Sequence, residues 1–483
     1  MFFKYLVIHV RFRNAGGRLW LTEEFWRQVE EYRQLGFDPL RWIATGSNEV
    51  DNWKLNQAVN EMKRSSIKLD TSWFDAFYYA DGKTPDLTRR VFSIHDPAVE
   101  NEVDLKHAIA MFRVHKEIEN DSSLFTGILN NFFKNFRCKV TINKSIFAVT
   151  EHRDAQFGLL DYIGLHRGDK VGFTVADNAT AQVIDPTLEL DSELHTDIPM
   201  TRCIDHLNLL GCTSGFALYP IYDSPQESLL DTIGRNLDAF TSRYNLKMDD
   251  YSSLKVGRLF FGSTGTANTF QELPTNYDQV EESMQIIITN PLGSLMALSL
   301  FALAQIDDKI IVSLENKGVN NQDLVSAKDE CLKSLCEPHF SLGRIISKYC
   351  PGYGTPLQKN ENLIAVHPLG GDGILGLWNL ARLSDCHLVI NDIPMMFEEI
   401  ARVAAIEGLV TNPTASINGC HVIVATRDIS TLILDELRRH NFRAVVVGFV
   451  AKRGEKGITF GDNIKGHFAA KSGLSMSSRI LSK

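Results

Sequence analysis

From residue 137 onward the chain alternates short β-branched runs with amphipathic stretches, and this alternation limits its fold more than any other feature. KVTINKSIFAV, KVGFTVAD, MQIIIT and KIIVSL read as strands, and ESLLDTIGRNLDAFTSRY and LMALSLFALAQ read as helices. The final third repeats the pattern: LIAV, a glycine-rich turn, a helix through LWNLARL, strand CHLVIND, helix MMFEEIARVAAIEG, strand CHVIVAT, helix TLILDELRRH and strand RAVVVGFV. Such alternation gives an α/β or α+β domain, because strands and helices following one another must bury their apolar faces on each other. No repeat of roughly 20–50 residues marks a solenoid.

Residues 1–136 have a different texture and are expected to form an accessory α+β domain. Five tryptophans lie here (Trp20, Trp26, Trp42, Trp53 and Trp73). Thr22 is placed to cap a helix through EEFWRQVEEYRQLG, with Phe25, Val29 and Tyr32 at helical spacing and Gly36 closing it. A second helix is expected over VDLKHAIAMFRVHKEIEN. The aromatic density is read as core packing. The last residues, 464–483, are rich in Ser and Lys and read as a loose tail.

The chain has 483 residues, enough at about 150 per domain for two to four domains. Its 59 acidic residues against 50 Lys and Arg give a net charge of −9, which argues against general binding to nucleic acid or an acidic membrane. The eight cysteines contain no CxxC pair, so zinc-ribbon, ferredoxin and thioredoxin chemistry are not expected and reduced thiols are. The opening MFFKYLVIHVRFRNAGG is broken by Lys4, His9 and two arginines and reads as a strand, not a signal peptide or membrane span. These features place the protein in the cytoplasm.

Two phosphate-loop patterns occur. Gly82-Lys83-Thr84 ends like a Walker A loop, but Phe77 occupies the first glycine position and Pro85 interrupts the following helix, so it is rejected. Gly371–Gly376 satisfies GxGxxG after LIAV and before a helix, with Asp392 ending the next strand. It supports a dinucleotide site, yet Asp372 inside the glycines repels a pyrophosphate unless a metal ion stands between them. The alternative is a carboxylate that holds Mg²⁺ against phosphate. Asp177 at the end of VGFTVAD, Asp197 after DSELHT, and Asp205 are further acidic candidates.

The order of these segments is similar to that of the superfamily containing aminoimidazole ribonucleotide synthetase, selenophosphate synthetase, thiamine-monophosphate kinase and the hydrogenase maturation dehydratase. Asp177-Asn178-Ala179 resembles that family's D-D-A-A-V strand end, Thr196-Asp197 its T-D element, and Asp205 through Gly211-Cys212 its N-D-to-M-G-A segment. LFFGSTGTAN (259–268) looks like its Gly-Gly-x-Thr turn, IIITNPLGS resembles I-L-T-K-P-L-G, and HPLGGDGILG resembles D-V-T-G-F-G-L-L-G. The series runs in order over roughly 155–460. Asn178 stands where the family has a second aspartate and Asn290 where it has lysine. The reactive G-C/U-G-C-K element of selenophosphate synthetases has no counterpart before Asp177.

The resemblance implies an α+β / α/β core of two halves, 137–282 and 283–463, the first pairing with a second copy into a β-barrel. It further implies an ATP- and Mg²⁺-dependent phosphoryl transfer to a small-molecule substrate by a homodimer. On this reading Asp177, Asp197 and Asp372 hold Mg²⁺, and Asp205 contacts metal or nucleotide. Gly262, Thr264, Gly265, Thr266, Gly371 and Gly373 meet the phosphates, and His195 and Lys170 are the candidates for catalysis. A catalytically silent ATP-binding assembly or regulatory subunit, and an NAD(P)-binding oxidoreductase built on Gly371–Gly376, are the alternatives.

Overall fold

The structure is a computed structural model. It describes residues 22–35, 162–166, 172–179, 185, 187–248, 259–306, 308–371, 373–406, 413–461 and 464. The helix expected over VDLKHAIAMFRVHKEIEN, the strand KVTINKSIFAV and the Ser/Lys tail therefore lie outside the described residues. Those described contain two sheets and ten α-helices.

The first sheet has the order β1-β2-β5-β3-β4. It comprises β1 (Tyr162–His166), β2 (Phe173–Ala179), β3 (Ser214–Asp223), β4 (Lys247–Met248) and β5 (Phe260–Thr269). Helices α2 (Glu193–Leu209) and α3 (Glu227–Tyr244) belong with it. Helix α3 matches the sequence reading residue for residue: Leu229, Ile233, Leu237 and Phe240 repeat at helical spacing and are buried, and Asn245 at φ 52 closes it.

The second sheet has the order β11-β8-β10-β6-β9-β7. Its strands are β6 (Gln285–Ile288), β7 (Ala365–Pro368), β8 (Cys386–Ile390), β9 (His421–Ala425), β10 (Val445–Arg453) and β11 (Gly457–Phe460). Helices α4 (Ser294–Ile306), α5 (Asp308–Glu315), α6 (Asn321–Cys336) and α7 (Phe340–Tyr349) precede β7. Helices α8 (Leu377–Ser384), α9 (Glu398–Ile406) and α10 (Arg427–Arg439) follow it. Strand β9, covered on both faces, is buried throughout, as its uninterrupted VIV run requires.

The alternation misleads at one element and leaves strand direction open. KIIVSL is helix α5 and not a strand: Ile311 and Leu314 turn inward at a spacing of three while Val312 is 54% exposed. Packing on its helical neighbours overrides the β-preference of the branched residues. Among the named strand pairs, only β3–β4 and β8–β11 are parallel. The rest are antiparallel, so the second half is not a doubly wound α/β sheet.

The two sheets share one core, in which Val175 and Ala267 of the first and Leu207 of α2 cluster with Ile287, Val366 and Ile423 of the second and with residues of α7 and α10. Helix α1 (Thr22–Gln34) is built into the same body. Phe25 and Val29 pack among α4 and α6, while Tyr32 and Leu35 pack with α2 and α3, and Leu259 N–H donates to the Leu35 carbonyl at 2.7 Å. Burying four such side chains contributes about 1.5–3 kcal/mol each.

Candidate functional site

Helix α2 organises the site. It is buried nearly all round, so its polar residues are enclosed. Asp197, Thr201, Asp205 and Asn208, spaced by four, four and three, form one polar stripe, each no more than 1% exposed. Gly265 of β5 lets the helix lie this close, since a Cβ there would stand 2.4 Å from Cys203 Sγ.

At the first end, Asp197 Oδ2 accepts from the Arg243 guanidinium at 2.8 Å, and Arg243 also reaches Glu193 at 3.0 Å. Burial drives the Asp197 carboxyl up to about 6, and Arg243, whose side chain is 41% exposed, opposes the rise without cancelling it. Among the described residues Asp197 Oδ1 is buried with no hydrogen-bond partner, as is Thr201 Oγ1 one turn on. An enclosed carboxylate oxygen left unsatisfied is a costly arrangement that a cation relieves.

Asp205 has no such vacancy. Its Oδ1 accepts from His339 N–H at 2.7 Å, and its Oδ2 contacts His339 Nδ1 at 2.9 Å and accepts from Gly419 N–H at 2.8 Å. Burial alone pushes this carboxyl upward. The charge and hydrogen bonds of His339 outweigh burial and hold it below the usual carboxylate range, and His339 is raised in turn. Its oxygens tie α2 to the start of α7 and to the loop before β9. Asn418 strengthens the tie, its amide donating to the Ile198 carbonyl at 3.0 Å and the Leu335 carbonyl at 2.5 Å. Behind Asp205, His421 is buried with neither ring nitrogen hydrogen-bonded among the described residues, and burial pushes its pKa down to about 3.

The remaining expected residues are dispersed. His195 is enclosed, with Tyr32 OH at 3.5 Å from Nδ1 and the Asp185 carbonyl at 3.3 Å from Nε2, and burial lowers its pKa. It links α1 to α2 through the Tyr32 contact. Gly262, Thr264, Gly265 and Thr266 do not form a turn. They lie inside β5, where Gly265 pairs with Asp177 on one side and Leu218 on the other. A central strand engages its backbone groups in the ladders on both sides, which leaves few for phosphate. Asp177 stands within β2 and not at its end. Its side chain, with Asp372 and Lys170, lies outside what is described.

The glycine turn is tightly built. Strand β7 runs on through His367-Pro368, and Gly373 N–H donates to the Gly370 carbonyl at 2.9 Å. Residues Gly373–Gly376 form a 3₁₀ turn leading into α8. Gly373 has φ +55, and a Cβ would stand 2.1 Å from the Thr414 carbonyl oxygen. Thr414 Oγ1 accepts from Ile374 N–H at 3.2 Å. Because β7 is an antiparallel edge strand, the turn is not the βαβ crevice of a dinucleotide site, and the NAD(P) alternative loses its structural basis.

Arg243, His339, Gly419 and His421 were not singled out from sequence. The Asn418-Gly419 pair is a turn signal; the others carry no local mark. Among the described residues no group of three or more His, Cys, Asp or Glu side chains is placed to hold a metal ion. Of the three expected Mg²⁺ ligands, Asp197 is the one whose side chain is described, and its Oδ1 has no hydrogen-bond partner among the described residues.

No protein-family model matches the chain, and no curated protein does. Solved structures do. It is similar to tt0281 from Thermus thermophilus (TM-score 0.46, 11% identity, 62% of this chain and 88% of that one). It is similar to thiamine monophosphate kinase from Aquifex aeolicus (TM-score 0.44, 12% identity, 63% and 91%). It is also similar to the hydrogenase maturation protein HypE from E. coli (TM-score 0.40, 14% identity, 59% and 81%). Identities this low and TM-scores under 0.5 decide nothing about activity.

Proposed function

We propose that this protein is an ATP- and Mg²⁺-dependent phosphoryl-transfer enzyme acting on a small-molecule acceptor. The observation that carries the reading is Asp197 Oδ1, a carboxylate oxygen enclosed on α2 with no hydrogen-bond partner among the described residues. A divalent cation satisfies such an oxygen, and its charge favours the ionised form that burial opposes. In this reading Mg²⁺ would be held by Asp197 together with Asp177 and Asp372, and it supplies charge neutralisation at the phosphates. Arg243 fixes the rotamer of Asp197 through Oδ2, leaving Oδ1 for the ion. The first sheet would pair with that of a second copy, as the resemblance implies. Lys170 keeps its place as a candidate near the transferred group. The test is Mg²⁺-dependent ATP turnover by the whole chain: activity lost in Asp372→Asn and Asp197→Asn supports the enzyme, and activity unchanged in both overturns the proposed ligands.

A second reading is a catalytically silent relative that retains nucleotide binding. It is favoured by Asn290, which stands where the family has lysine. Asn290 is committed to the backbone, its Nδ2 donating to the Gly419 carbonyl at 3.3 Å and its Oδ1 accepting from Arg443 N–H at 3.2 Å. Nucleotide binding without turnover selects this reading.

A further inference from the structure

Helix α1 lies across the boundary between the two halves. Near its start, Phe25 and Val29 are 1% and 0% exposed in a cluster built mainly of α4, α6 and α9. Further along the same inward stripe, Tyr32 and Leu35 are buried in a different cluster, built of α2, α3 and β5. One end of the helix therefore belongs to the second half and the other end to the first. Tyr32 also reaches the turn that opens α2. Its hydroxyl is 3.5 Å from His195 Nδ1 and 3.5 Å from the Leu188 carbonyl, both at the long limit of a hydrogen bond.

Gln28 stands between the two apolar sets. It lies on the inward stripe and is 2% exposed, and neither atom of its amide group has a hydrogen-bond partner among the described residues. An enclosed amide left unpaired weakens docking, where an apolar side chain of similar size would strengthen it. On the outward face Arg27 pairs with Glu24 and Glu31, and pairs so exposed add little. From this arrangement we infer that α1 is a releasable strap. Docked, it holds the two halves together and fixes the first turn of α2; released, it frees both at once. This makes it a regulatory device acting on the turn that carries His195 and Asp197, and it stands whatever Asp197 binds.

The experiment is hydrogen exchange of the full-length protein, read by mass spectrometry, in the wild type, Val29→Ala and Gln28→Leu. Alanine is the better helix former, so faster exchange in Val29→Ala reports lost docking and not a weaker helix. In the wild type, α1 is expected to exchange through a local opening, faster than the core strand β9, with the first turn of α2 opening alongside it. Val29 lies in the cluster of the second half, yet Val29→Ala is expected to raise exchange about tenfold or more both in α1 and at the start of α2, with β9 unchanged. Gln28→Leu is expected to slow exchange at both places. A rise confined to α4 and α6, or an α1 that exchanges only as slowly as β9, overturns the strap. If Val29→Ala does not fold, Gln28→Leu decides: slowing in α1 and at the start of α2 supports the strap, and anything less overturns it.

Discussion

Replacing Asp205 with asparagine is the sharpest perturbation of the joint between the two sheets. The carboxylate accepts three hydrogen bonds, from His339 N–H, His339 Nδ1 and Gly419 N–H, at 2.7, 2.9 and 2.8 Å, and its side chain is 0% exposed. Asparagine keeps one acceptor oxygen and turns an N–H₂ group toward a donor. It also leaves the raised His339 without its counter-charge. Removing one partner of a buried charged pair costs about 3–5 kcal/mol, because the other partner remains enclosed and unsatisfied. The assay is urea unfolding of the full chain, followed by far-UV circular dichroism and tryptophan fluorescence; coincident transitions justify a single free energy. Glu399→Gln serves as the comparison, since the Arg402–Glu399 pair is exposed on both sides and is worth about 1 kcal/mol or less. A loss at Asp205 no larger than at Glu399 would refute the claim that this carboxylate joins the halves.

Acidification offers a second test. Burial holds the folded-state pKa of His421 at about 3 against an ordinary 6.5, so the unfolded chain takes up a proton first as pH falls. Its penalty begins below about 6.5 and grows to roughly 5 kcal/mol near pH 3. His339, raised in the fold, works in the opposite sense: its contribution is present below about 6.5 and is lost as pH rises through its folded pKa. His421→Leu should flatten the loss of stability between about pH 6 and 4; an unchanged slope assigns the acid sensitivity elsewhere. Gly373→Ala meets the Thr414 carbonyl oxygen at 2.1 Å in a left-handed conformation, whereas Gly354→Ala at φ +76 has nothing within 4 Å. The first should melt well below the second, and equal melting temperatures would contradict the tight turn. Phe25→Ala should cost about 3–5 kcal/mol, and Trp26→Ala, at a residue 39% exposed, under about 1. Similar losses at both would mean that α1 is not part of the core.

Much of the fold is legible because its elements advertise themselves locally. Phe25, Val29 and Tyr32, or Leu229, Ile233 and Leu237, repeat at a helical period, and CHVIVA and CHLVI are β-branched and bounded by turns. What the alternation cannot convey is pairing direction. Strands separated by helices suggest parallel neighbours, yet β6, β9 and β10 join antiparallel, because non-local packing sets their order. KIIVSL shows tertiary burial of Ile311 and Leu314 overruling local preference. Of the candidate site, Asp197 and Asp205 were visible as acidic candidates, but neither their shared helix nor their different surroundings were. Those surroundings depend on Arg243, 46 residues away, and on His339 and Gly419, 134 and 214 residues away, of which only Gly419, in its Asn-Gly turn, carries a mark in its own neighbourhood.

The most direct measurement of the central claim compares the melting shift given by a non-hydrolysable ATP analogue in wild-type protein and in Asp197→Asn, with and without Mg²⁺. Binding selective for the native state raises stability in proportion to the logarithm of ligand over Kd. The account predicts a shift in the wild type that needs Mg²⁺ and that collapses in Asp197→Asn while the unliganded variant stays folded. No shift with nucleotide at about millimolar concentration, or an equal shift in Asp197→Asn, would contradict it.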